Sequence, residues 1–153
     1  GDDAIDTDQS WAGTLDNFVV VTPVGHCFEL DGPEGDFEAG HTIQNGTIVA
    51  SNSDRTSQDL INVDDNSIVD LKDLTFINIF ADADEDLYQR INRVTAAGVT
   101  FENILLDVDP AELGNYVNGM VPTGVSAGNT LKADVSGLTS WTWAGQAGGL
   151  DGL

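Results

Sequence analysis

The chain has 153 residues, 41% of them apolar, and carries 26 acidic against 5 basic side chains for a formal charge of −21. That length supports one domain with a hydrophobic core, and the apolar content excludes a disordered acidic tail. The charge argues against nucleic acid and anionic lipid as partners, and no run of 18 apolar residues is present, so membrane insertion is not expected.

The first residues are dense in carboxylates: Asp2, Asp3, Asp6 and Asp8 surround Ile5. Four acids in so short a span repel one another unless they are solvated or bridged by a cation, and calcium takes six to eight oxygens. Gly1 falls inside what reads as a motif already under way, so a processed or truncated piece of a longer protein is expected.

Four segments then superimpose. They are Thr14 to Val21, Thr42 to Val49, Asp70 to Ile77 and Thr100 to Asp107, anchored at Asn17, Asn45, Asp73 and Asn103 with spacings of 28, 28 and 30 residues. Leu15, Ile43, Leu71 and Phe101 stand two residues before the anchors; Val20, Ile48, Phe76 and Leu106 stand three after. In an unbroken strand inward residues share one parity. Here the parity slips at the anchor, and a bend explains the slip. Asn, and Asp with it, tolerates the left-handed backbone such a bend needs. A further short strand precedes each corner, with Ile5, Ile61 and Ile91 each 12 residues before their anchors. Leu30 is taken as the matching residue of the second unit, after allowance for an insertion between Gly35 and Gly40. Three short strands per unit of about 28 residues describe an all-β solenoid.

On that register the outward column of the first strand runs Asp6, Asp31, Asn62, Asn92, which would place Asp6, Asp31 and Asn62 on neighbouring rungs as oxygen donors for a cation. A solvated acidic face is the plainer reading of the same residues. Asp82, Asp84 and Asp86 form a D-x-D-x-D loop that lacks the glycine and glutamate of an EF-hand, leaving a looser calcium site or a solvated turn. Asp64-Asp65 and Asp107 to Asp109 read as turns. The single cysteine, Cys27, lies in an apolar strand pattern and reads as a buried structural thiol. His26 and His41 show no acid partner at a telling spacing. No nucleophile elbow, phosphate loop, dinucleotide fingerprint or zinc spacing occurs, and no catalytic residue is assigned.

After Asp109 the repeat stops. Pro110 to Val117 can open a short helix with Asp109 as its cap. A glycine-rich stretch and the alternating Trp141 and Trp143 follow, read as a final strand. Residues 1–109 are therefore assigned to the coils and residues 110–153 to a cap over the C-terminal end. Trp11, Trp141 and Trp143 are expected to fill core or cap, with sugar stacking as the alternative.

The asparagine column at a two-strand corner resembles the ladder of pectate-lyase-like right-handed parallel β-helices. The stretch Gly1 to Gln9, with Asn17 to Val21 and Phe28 to Gly35, resembles the C-terminal half of bacterial secreted or lipoprotein β-helix proteins of the cell surface. The resemblance implies a right-handed parallel β-helix, secreted or at the cell surface. Because such a rod needs no active site and tolerates an acid-rich surface, the function expected beside this resemblance is a non-catalytic structural or adhesive module, stabilised by Ca2+, that associates at an open N-terminal coil with other chains or copies of itself and so forms filaments or a surface assembly. The alternative the resemblance implies is a calcium-dependent uronate lyase or carbohydrate-binding module, in which acids on the first-strand face hold calcium and Arg55, Lys72, Arg90, Arg93 or Lys132 serves as base.

Overall fold

A computed structural model describes residues 2–8, 10–64, 66–92 and 94–153. The expectations placed on Gly1, Asp65 and Arg93 lie outside the described residues. The strands are β1 (Ile5–Thr7), β2 (Thr14–Val21), β3 (Phe28–Leu30), β4 (His41–Val49), β5 (Ile61–Val63), β6 (Val69–Ile77), β7 (Ala81–Asp82), β8 (Leu87–Tyr88), β9 (Val99–Leu106) and β10 (Val125–Ala127). They form a parallel sheet β1-β3-β5, a second parallel sheet β10-β9-β6-β4-β2, and the small antiparallel pair β7-β8. The chain winds as a parallel β-solenoid with almost no helix.

The corner strands are continuous and bent. Asn17, Asn45, Asp73 and Asn103 take φ of 57°, 57°, 49° and 55°, the left-handed backbone the parity slip requires. The strand register pairs Leu15 with Ile43, Ile43 with Leu71 and Leu71 with Phe101, and stacks Val20, Ile48, Phe76 and Leu106 likewise. The anchors therefore lie one above another. Asn45 Nδ2 donates to Asp16 Oδ1 at 2.6 Å, and Asn103 Nδ2 donates to Asp73 Oδ1.

The other sheet requires one correction. Ile5 pairs with Phe28, and Phe28 with Ile61; Leu30 lies level with Thr7 and Val63 instead. Phe28 and Leu30 both point inward, so a shift of two residues leaves the apolar face unchanged, and the insertion before His41 hid it. The column continues through single bridges from Ile61 to Ile91 and from Ile91 to Val117. Phe28, Ile61 and Ile91 are fully buried, and each large apolar side chain so removed from water contributes about 1.5–3 kcal/mol. Phe28 bridges the sheets, its ring 6.1 Å from Phe18 and 5.6 Å from Phe76.

Beyond Asp109 the winding continues. Asp109 Oδ1 accepts from Ala111 N at 2.8 Å, but the turn it starts is a 3-10 helix, Leu113–Tyr116. Val117 then joins the first sheet's column and β10 joins β9. From Gly128 the chain reverses along the rod, and Asp134 reaches Asn17 in β2. The strand expected at Trp141 and Trp143 is instead a turn followed by the short helix α1 (Trp143–Gln146). Thr142 caps that helix, accepting from Gly145 N at 3.0 Å. The two Trp side chains are 70% and 84% exposed rather than packed in a cap or core. The chain turns back on itself here, and Gly145 packs so closely on the Thr139 backbone that a Cβ would not fit.

Candidate functional site

Outward-facing residues of β1, β3 and β5 bring acids together across rungs. The register places Asp6 beside Glu29 and Glu29 beside Asn62. The cross-rung partner of Asp6 is thus Glu29, and the predicted Asp6–Asp31–Asn62 column is corrected accordingly. Asp31 belongs one step along, where its N–H donates to Thr7 O at 2.9 Å and Asp64 N donates to Leu30 O at 3.0 Å. This second outward column carries Asp8, Asp31 and Asp64 on neighbouring rungs.

Asp3, Asp6 and Glu29 each offer a carboxylate oxygen, and these oxygens lie within 4.8 Å of one another. Asp3 is fixed from the opposite side, accepting from His26 N at 2.6 Å, while Asp2 O accepts from Gly25 N at 2.9 Å. Glu29 is pushed up to about 7 by a shared hydrogen bond with Asp3, then by burial and by the charges of Asp3, Asp31 and Asp6. Burial raises Asp31 as well, helped by Asp64, Asp6 and Asp8. Calcium–oxygen distances of about 2.3–2.6 Å put donors on one ion at most about 5 Å apart, so the three carboxylates fit a single hard cation. Asp2 and Asp3 also line a cleft with Thr22, Pro23 and Arg55.

The other acid loop has a different arrangement. Asp82 Oδ1 accepts from Asp84 N at 3.2 Å, and Asp86, with φ of 53°, pairs with Arg90 at 3.4 Å. Asp82, Asp84 and Asp86 shape the β7-β8 turn and stand apart from the first cluster. Arg90 also donates to Asn115 O at 3.0 Å and lies over the Tyr88 ring. Lys72 and Lys132 pair with Asp70 and Asp73.

His26 has an acid partner that sequence spacing did not reveal. Its Nδ1 lies 3.6 Å from Asp59 Oδ2 and accepts from Asp59 N at 3.2 Å. Burial raises Asp59, against the opposing pull of His26 and Arg90. Spacing carried no signal for it because the pairing depends on coil register, in which Cys27 N donates to Asp59 O one coil on. The pair lines a cleft with Gln58, Phe80, Leu87 and Tyr88. Beneath it, Gln89 Nε2 donates to Ser57 O and Oγ at 2.8 and 2.7 Å, and its Oε1 accepts from Ser51 Oγ and Phe80 N. Cys27 is buried against Ser57 Oγ at 3.2 Å, and burial pushes its thiol up to about 11. It is a structural thiol.

Comparison with protein-family models, curated proteins and solved structures found no match. Among the described residues no helix is long and apolar enough to cross a membrane.

Proposed function

We propose that the chain is a non-catalytic structural or adhesive β-helix module of the cell surface or extracellular space, with calcium tying neighbouring coils together. The observation that carries this reading is the meeting of Asp3 and Asp6 with Glu29 across two rungs. A cation there would neutralise repelling carboxylates and crosslink coils in a chain of charge −21. Its occupancy would stabilise only the folded form. The resemblance to pectate-lyase-like helices and bacterial surface proteins rests on the corner ladder and the acidic opening. Association with another chain or another copy, including filament formation, is supported by the edge positions of β1 and β2 in their sheets.

Thermal melting with calcium and with chelator tests the cation. At a calcium concentration about a hundredfold above Kd, the stabilisation is about 2.7 kcal/mol, a rise in Tm of roughly 5–10 °C. The Asp6→Asn/Glu29→Gln variant is expected to lose that rise. An equal rise in both proteins, or none in either, overturns the crosslink. Electron microscopy showing monomers alone would remove the filament.

The second reading, a calcium-dependent uronate lyase or carbohydrate-binding module, is favoured by one observation: Arg55 lines the same cleft as Asp2 and Asp3. A calcium-held uronate carboxylate there would set its α-carbon against Arg55, which in its neutral form would take the α-proton while the bond to the β-oxygen breaks and that oxygen leaves with the other half of the polymer. Incubation with polygalacturonate or alginate plus calcium should then generate the ultraviolet absorbance of the unsaturated product. A flat trace rejects the lyase, and absence of binding to either polymer rejects the module.

A further inference from the structure

A solenoid is held mostly by contacts between adjacent coils, so an end coil can open at little cost while the middle stays closed. Residues 128–134 supply contacts of another kind. Gly128 N donates to Leu106 O in β9 at 2.8 Å. One rung on, Thr75 Oγ1 of β6 donates to Thr130 O at 2.6 Å. In β4, Thr47 Oγ1 accepts from Lys132 N and Ala133 N, both at 3.1 Å. At the far edge, Asp134 N donates to Asn17 Oδ1 at 2.6 Å and Asp134 O accepts from Asn17 Nδ2 at 3.1 Å. Lys132 adds an ion pair to Asp73 at 3.8 Å.

The anchor points follow the spatial order β9-β6-β4-β2. Thr47 and Thr75 are register partners in one outward column, and both are buried. Among the described residues neither hydroxyl bonds to its own sheet: Thr75 gives its proton to the crossing segment, and Thr47 accepts two hydrogen bonds from it.

We infer that residues 128–134 form an axial latch that joins the last coil to β2, so that the end coils open only with the whole rod. Adjacent-coil contacts alone would let β2 fray independently; a segment hydrogen-bonded to four successive strands makes its release depend on all of them.

Hydrogen exchange on the full chain tests the latch. The reporters are Thr22 N, which donates to Val49 O at 2.8 Å, and Ala50 N, which donates to Ile77 O at 3.0 Å. In the native protein the two amides should exchange at similar rates. In the Thr47→Val/Thr75→Val variant, which keeps side-chain shape and removes both hydroxyls, Thr22 should exchange about tenfold or more faster than Ala50. Equal rates in the variant, whether raised together or unchanged, overturn the latch. So does a native protein in which Thr22 already exchanges tenfold faster. If the double variant does not fold, the Thr75→Val single variant is read by the same ratio, with separation of the two rates expected and equality again overturning the idea.

Discussion

Each corner of the ladder asks one side chain to tolerate a left-handed backbone and to bond to the neighbouring rung. Asn45 does both, with φ of 57° and its amide donating to Asp16. Asn45→Ala should therefore cost about 1–3 kcal/mol, from the backbone preference and the lost bond together. Asn45→Gly should cost less, because glycine relieves the first penalty. Urea unfolding of the two variants checks this, and a glycine variant less stable than the alanine one would refute the corner argument. His41 makes a pH-dependent contribution at the same scale. It is buried beside Trp11, their rings 4.8 Å apart; its Nε2 has no hydrogen-bond partner among the described residues, and burial lowers its pKa. The unfolded chain therefore takes up this proton first as pH falls below about 6.5, so the contribution of His41 is present above that pH and lost below it. The raised carboxyls of Asp31 and Asp59 act in the opposite sense. The measurement is accordingly the difference between wild type and His41→Leu, which should shrink between pH 7.5 and pH 5; a difference independent of pH would count against it.

Strands in this rod are matched by what they leave out as well as by what they bury. Gly46 is stacked between Phe18 and Leu74, and an added Cβ would come within 2.4 Å of Phe18 Cζ and 2.9 Å of Leu74 Cδ2. Gly46→Ala should destabilise by about 1–3 kcal/mol through overpacking, and Phe18→Leu in the same chain should recover part of the loss. Additive losses in the double-mutant cycle would show that the two positions do not compete for space. The second sheet was legible in the sequence because a left-handed corner restricts residue choice, so Asn17, Asn45, Asp73 and Asn103 declare the repeat. The short strands of the first sheet carry no such marker. Phe28 and Leu30 face the same way, so the apolar pattern could not choose between them, and that ambiguity assigned Asp31 the position Glu29 holds. The path of Gly128 to Asp134 was illegible for a different reason. Its partners are as much as 117 residues away, and nothing periodic in the segment announces them.

The whole molecule combines a largely apolar interior with a heavily acidic exterior. At low ionic strength the charge of −21 opposes compaction, and at about 0.1 M salt the repulsion is screened over roughly 10 Å. Tm should rise with sodium chloride and level off, and a calcium-dependent rise should persist at about 0.5 M sodium chloride if Asp3, Asp6 and Glu29 bind the ion specifically. Complete suppression by sodium would reduce calcium to ordinary screening. The direction of the latch has a mechanical corollary. Strands lie across the rod and their hydrogen bonds point along it, so a stretching force loads those bonds in series and the weakest rung yields first. Covalent backbone from Gly128 to Asp134 runs parallel to that force, as a tendon spanning the stack. A rod so braced should resist being pulled end from end until the tendon's anchorages at Asn17, Thr47 and Thr75 give way together.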